Sequence, residues 1–183
     1  MKTVLSMLAM VLLVSSLAFS QGGQSASTFS TFDVGFPLFV SALPGNFGTL
    51  APGTAYTISA DGNISPADVL GSTTEIPIEW DITGQAGANV LVTFSLPGFF
   101  TATAGTGARV PYSVTVQSAG WSSIPFVPGS PYNPIDPRVP NTMTLDALSG
   151  GATVQLGGVL TVPVSASGNY EAQFVLTAAY TGL

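Results

Sequence analysis

The stretch from Gly157 to Leu183, GGVLTVPVSASGNYEAQFVLTAAYTGL, decides the fold class of this chain. Beyond Asn169 every second residue falls on one face of an extended strand, which is typical of a half-buried β-strand. The face predicted to be buried carries Tyr170, Ala172, Phe174, Leu176, Ala178 and Tyr180. A β-branched run, Val159 to Val164, precedes this strand, and a turn that contains Gly168 separates the two. The sequence therefore predicts a closing β-hairpin.

The rest of the chain repeats short strands, with turn signals about every ten residues. Strands are predicted at Thr54 to Ala60, Glu75 to Ile82, Asn89 to Leu96, Val110 to Val116, Thr142 to Leu148 and Ala152 to Leu156. No strand–helix–strand unit is visible, and only Ser65 to Asp68 could begin a helical turn. We therefore predict an all-β fold, an immunoglobulin-like antiparallel β-sandwich of roughly eight to ten strands.

The first 20 residues are predicted to be a cleaved signal peptide. Lys2 precedes an apolar run, and the small residues Ala18 and Ser20 place the cleavage before Gln21. A transmembrane helix is the alternative, but the apolar run is short and no later run could span a bilayer. The remaining chain, residues 21–183, is predicted to be one exported β-sandwich domain that starts with a flexible arm at 21–27.

The composition excludes several classes of function. The net charge is −6 with only three basic residues, which disfavours binding to nucleic acid or to an anionic membrane surface. The chain contains neither cysteine nor histidine, which removes disulfides, thiolate sites, the commonest general base and the commonest zinc ligand. Export without disulfides is more typical of bacteria. We therefore predict a secreted or cell-surface bacterial protein that is not an enzyme and has no cofactor, metal or catalytic residue.

Two acidic features could nevertheless carry chemistry. Glu75, Glu79 and Asp81 share a strand face at about 7 Å spacing, and carboxylate pairs serve glycoside hydrolysis. Such pairs straddle a cleft, however, so we interpret this row as a solvated face. Asp61 and Asn63 flank Gly62 and could offer oxygens to Ca²⁺, but we interpret them as a tight turn.

A proline-rich crossover is predicted at 121–140. Between Ile124 and Pro140 a proline recurs at every third position, which matches the three-residue turn of polyproline II. Two interpretations stay open: a ligand presented to a partner's aromatic groove, or a stiff connection between two sheets. The candidate partner-binding residues are Trp121, Phe126 and Tyr132.

Three glycine motifs carry a resemblance to a known family. They are NFGTLAPG at 46–53, ITGQAGA at 82–88, and LGGVLTVP at 156–163 followed by GNY at 168–170. From Asn46 onward the chain resembles a secreted bacterial domain-of-unknown-function family with an immunoglobulin-like sandwich, related in style to pilins. The proline segment departs from that pattern. The resemblance implies an exported surface or fibre-type protein, and it transfers no catalytic residue.

The functional hypothesis is an exported, non-enzymatic structural protein that assembles with itself into a fibre or pilus-like polymer by β-strand addition. The donor strand is predicted within Gln21 to Val34, with Phe29, Phe32 and Val34 as its apolar residues. The acceptor is predicted at an edge beside the terminal strand. The alternative is a monomeric extracellular module that binds a glycan or a protein through the aromatics near the proline segment.

Overall fold

The structure, a computed structural model, describes residues 36–104, 107–123 and 132–181. These residues contain 14 β-strands and no helix. In chain order the strands are β1 (Phe39–Leu43), β2 (Ala55–Ile58), β3 (Ile64–Ser65), β4 (Ile78–Thr83), β5 (Asn89–Ser95), β6 (Phe99–Ala102), β7 (Val110–Ser113), β8 (Ala119–Ser122), β9 (Asn133–Ile135), β10 (Asn141–Thr144), β11 (Gly151–Leu156), β12 (Gly158–Thr161), β13 (Tyr170–Glu171) and β14 (Val175–Tyr180).

The strands form three sheets in which all described pairs are antiparallel. The first sheet has the order β1-β4-β11-β8-β9, the second β10-β5-β14, and the third β13-β6-β7-β12-β2-β3. The predicted all-β antiparallel class is confirmed. The number of strands exceeds the predicted eight to ten because several strands are only two to four residues long.

The larger core lies between the first and second sheets, which pack in a sandwich-like manner. Alternate residues of each strand point inward, as the period of two requires. The fully buried members from both sheets include Ile82, Val90, Val92, Met143, Val154 and Leu156. Trp80 joins them on β4 and packs edge-on to Phe94 with ring centroids 5.8 Å apart. The second core covers one face of the third sheet around Tyr56, Ile58, Tyr112 and Leu160.

A glycine corner carries the chain from the first sheet into the third. β11 ends at Leu156 and β12 begins at Gly158, so Gly157 lies at the bend. A Cβ on Gly157 would lie 2.1 Å from the carbonyl oxygen of Ile58, which leaves room only for glycine. The Tyr112 hydroxyl donates a buried hydrogen bond to the Gly157 carbonyl at 2.5 Å. Burial raises the pKa of Tyr112 further above the neutral range, which favours the protonated hydroxyl that donates this hydrogen bond.

The predicted closing hairpin is wrong. β12 pairs with β2 and β7 in the third sheet, whereas β14 pairs with β5 in the second. The predicted long strand is also interrupted at 172–174, where the Phe174 ring packs against Tyr112 and Phe100 at centroid distances of 5.1 and 5.7 Å. The predicted faces of the last strand are confirmed, because Leu176 is buried while Val175 is exposed.

Two smaller predictions also change. The helical turn at Ser65 to Asp68 does not form. Instead, the Asp68 carboxylate accepts hydrogen bonds from the amides of Leu70 and Ser72 and holds a turn. The strand predicted from Glu75 begins only at Ile78, which leaves Ile76 60% exposed. The signal peptide, the arm at 21–27 and residues 124–131 of the proline segment lie outside the described residues.

Candidate functional site

The first two sheets differ strongly at their two sides. On one side, β9 of the first sheet leads through a short turn at 136–140 directly into β10 of the second. Asp136 and Arg138 hold this turn with a two-pronged ion pair whose contacts measure 2.8 and 2.9 Å. On the other side, both sheets end on open edge strands, β1 and β14. The described part therefore has one connected side and one open side.

β1 and β14 meet at one corner of this open side. The amide of Gln85 donates to the Tyr180 hydroxyl at 2.8 Å, which ties the end of β14 to the turn after β4. A Cβ on Gly84 would lie 2.9 Å from Leu38 Cδ1, so the residue that precedes β1 reaches the same corner. The two open edges thus border one continuous face of the molecule.

The alternation of hydrogen bonds along each strand identifies the backbone groups that face away from the sheets. In an antiparallel ladder, alternate residues bond to the neighbouring strand and the others point away. Because Thr181 donates to the carbonyl of Asn89, the amides and carbonyls of Leu176, Ala178 and Tyr180 point out of the β14 edge.

The same reasoning applies to β1. Gly84 donates to Gly150, so the even-numbered residues of β4 bond to β11 and the odd-numbered residues bond to β1. With Phe39 opposite Thr83, the backbone groups of Val40 and Ala42 are the ones that point into solvent. Both edges therefore offer donors and acceptors in the spacing that another strand would need.

β1 is exposed along its whole length, and four of its five side chains are apolar. Phe39, Val40 and Leu43 are 62%, 40% and 48% exposed, and the strand FVSAL contains neither a charged residue nor a proline. Val40 lies opposite Ile82, on the face that points toward the core. It remains exposed because β1 is the edge strand and no described strand lies beyond it. Natural edge strands are usually protected by charge, proline or shortness. β9 has Pro134 and only three residues, whereas β1 has no such protection.

A groove of about 1000 Å³ begins where β1 ends. One wall comprises residues 42–50 and the other comprises residues 167–174. The rings of Phe47 and Phe174 both pack against Phe100, at centroid distances of 6.0 and 5.7 Å. Among the described residues that line the groove, Glu171 alone is charged. The groove is therefore an aromatic continuation of the open side with little charge.

The acidic row does not line a cleft. Glu79 and Asp81 lie on the outer face of the first sheet, where Glu79 accepts from the Gln155 amide at 2.9 Å and Asp81 accepts from the Thr153 hydroxyl at 2.8 Å. Glu75 lies before β4, and its Oε1 atom is buried without a hydrogen-bond partner among the described residues. These carboxylates pair with neighbouring side chains or pack against the fold, and they form no acid–base pair across a cavity.

Other candidate ligands are also engaged. The Asp61 carboxylate accepts hydrogen bonds from the side chains of Ser59 and Asn63, which matches the predicted turn. In the three described ranges, no group of three or more Asp, Glu, His or Cys residues could hold a metal ion.

The structure places the predicted aromatic residues apart. Trp121 is half-buried against the larger core, whereas the Tyr132 ring lies over Gly120 on the opposite face of the first sheet. Burial and the nearby charge of Asp61 raise the pKa of Tyr132. Phe126 lies outside the described residues, as do the predicted donor residues Phe29, Phe32 and Val34.

Sequence reasoning did not identify the β1 edge or the groove. The uncharged run Phe36 to Leu43 was the available signal for the edge. Comparisons with protein-family models, curated proteins and solved structures find no match to this chain. No helix with the length and apolar character of a membrane span occurs in the described ranges.

Proposed function

We propose that this chain is a non-enzymatic structural protein, exported to the bacterial cell surface, whose copies assemble by β-strand addition. The observation that carries the proposal is the open side, where the apolar strand β1 offers unpaired backbone groups. A strand from a second copy would satisfy the amides and carbonyls of Val40 and Ala42. It would also cover the exposed side chains beside them, which adds apolar burial to the hydrogen bonds.

The low charge of the chain favours a second copy over an unrelated protein as the partner. Only 7% of the chain is charged, and β1 contributes no charge that would select a partner of opposite sign. The apolar leader at 1–20 supports export, and the engagement of Glu79 and Asp81 by polar neighbours supports a role other than catalysis.

The finer assignment of the fold is part of the same proposal. We propose an immunoglobulin-like sandwich for the first two sheets, of the kind implied by the resemblance to the secreted family. Three glycines of the resembling motifs, Gly48, Gly53 and Gly87, have φ values of +71°, +79° and +72°. These left-handed conformations favour glycine, so the motifs occur where the backbone needs them.

Light scattering and negative-stain microscopy on the chain from Gln21 onward, over a concentration series, test the proposal. We expect regular oligomers or filaments. In Val40→Pro the β1 edge loses an outward N–H while the ladder to β4 stays intact, so assembly should be lost.

Thr142→Pro is the matched control. Leu145 donates to Ala88, so the Thr142 amide also points away from its neighbour, but on the connected side. This variant should assemble normally. A stable monomer at every concentration would refute the proposal, and so would normal assembly by Val40→Pro.

A further inference from the structure

We infer that the strand added to this open side is Thr28 to Val34 of a second copy, and that its Phe32 side chain enters the aromatic groove. This inference rests on the proposed strand addition and names the segment and the residue that would perform it. Three observations carry it: the length of the edges, the pattern of the segment, and the course of the chain into β1.

The length of the segment matches the open edges. β1 and β14 contain five and six residues, so the edges are about 17 and 20 Å long at 3.3 Å per residue. Thr28 to Val34 reads TFSTFDV and would extend about 23 Å. It contains neither proline nor glycine, so every residue could take part in a ladder.

The pattern of the segment gives it one apolar face. In an extended strand Phe32 and Val34 share a face with Ser30, whereas Phe29 and Asp33 lie on the other. The face with Phe32 and Val34 is the one suited to the core side of the edge, where Val40 remains uncovered. The Asp33 carboxylate would then remain in solvent.

The groove suits an aromatic side chain carried on an extended backbone. Its volume of about 1000 Å³ is at the upper end of ligand pockets, which measure roughly 300–1,000 Å³. Phe47, Phe100 and Phe174 supply ring faces and edges at which another ring can pack in a tilted geometry. Because the groove leads into two strand edges with outward backbone groups, the geometry favours a polypeptide over a small molecule.

The course of the chain favours a second copy as the source. Residues 36–38 lead into β1 without a turn or bend, so the backbone does not reverse direction there. Pairing of Thr28 to Val34 with its own β1 would require the chain to reverse between Val34 and Phe36. Pairing with the open side of another copy requires no such reversal.

Phe32→Ala and its matched control Phe29→Ala test the inference in the chain from Gln21 onward. We expect Phe32→Ala to raise the concentration for half-maximal assembly at least tenfold, which corresponds to about 1.4 kcal/mol. Phe29→Ala removes the same side chain from the opposite face and should change this concentration less than threefold. Below the assembly concentration, the urea midpoint of Phe32→Ala should equal that of the parent chain.

The remaining outcomes separate this inference from the proposed function. If Val40→Pro abolishes assembly while the two phenylalanine variants behave alike, the inference about Phe32 is overturned and strand addition stands. If Phe32→Ala lowers the urea midpoint of the dilute monomer, the segment occupies the groove of its own copy. The inference that a second copy supplies the segment is then overturned. If Val40→Pro has no effect on assembly, the proposed function and this inference both fail.

Discussion

Removal of one hydroxyl, by Tyr112→Phe, tests how the glycine corner between the first and third sheets is held. The Tyr112 side chain is 6% exposed, and its hydroxyl donates to the Gly157 carbonyl in the buried bend. Phenylalanine keeps the ring contacts with Phe100 and Phe174, so the variant removes the hydrogen bond and little else.

The expected loss follows from burial. A buried carbonyl left without its donor costs about 1–3 kcal/mol, more than the typical net value of about 1 kcal/mol for a hydrogen bond. We therefore expect the free energy of unfolding to fall by about 2 kcal/mol.

Equilibrium unfolding in urea measures this loss. With a slope of about 2 kcal/mol per molar urea, the midpoint should move down by roughly 1 M while the slope stays unchanged. Tyr56→Phe is the control, since the Tyr56 hydroxyl accepts from the Ala51 amide at 2.9 Å in a partly buried site. That variant should lose at most about 1 kcal/mol, because water can reach the freed amide.

The pH dependence gives a second readout of the same group. Burial raises the pKa of Tyr112 above its ordinary value of 10.0, so the protonated form is favoured in the folded state. Its contribution is fully present below pH 10.0 and is lost as the pH rises toward the folded pKa. Stability should therefore fall more steeply above pH 10.0 in the parent chain than in Tyr112→Phe. If Tyr112→Phe were no less stable than Tyr56→Phe, the hydroxyl would not hold the corner.

Two further predictions concern the connected side of the first two sheets. A Cβ at Gly120 would lie 1.9 Å from Tyr132 Cδ2, so Gly120→Ala should cost about 1–3 kcal/mol in thermal or urea unfolding, and Tyr132→Ala in the same chain should relieve part of that cost. The Arg138 guanidinium donates to Asp136 and lowers the pKa of that carboxyl to about 2, so Arg138→Ala should return it toward 3.8 in a carboxyl NMR titration. Because the pKa of Asp136 is lowered in the folded state, its contribution to stability is present above pH 3.8 and is lost as the pH falls through about 2. If the Asp136 titration did not move in Arg138→Ala, the ion pair would be excluded.

Periodicity predicted which face of a strand is buried, but not which strand lies beside it. The alternation in β14 identified Leu176 as inward, and it is buried. The partners of β14 and β12 were wrong because a period of two fixes only the face of each residue. Their separation into different sheets depends on the Gly157 corner and on the ring cluster around Phe174, and both arise from contacts distant in sequence.

The candidate site was less predictable than the fold class for a related reason. An edge is defined by a missing neighbour, and the run FVSAL reads the same whether one strand or two strands lie beside it. The groove likewise requires Phe47, Phe100 and Phe174 to converge, although more than fifty residues separate each from the next. Composition did indicate the low charge of the chain, which this edge shares.

The symmetry of the contact determines how far assembly can extend. If β1 of one copy pairs with β1 of another, the interface uses the same patch on both partners and stops at a dimer. If Thr28 to Val34 of one copy fills the open side of the next, donor and acceptor are different surfaces, so the contact is head-to-tail and repeats into a ring or an open filament. On the connected side β9 carries Pro134, and β10 exposes only the polar side chains of Thr142 and Thr144, so neither edge offers the apolar surface that β1 offers. We therefore expect light scattering to show masses that grow with concentration beyond two copies, along a single axis in micrographs. A mass that stays at two copies would contradict the donor segment and would indicate pairing between β1 edges.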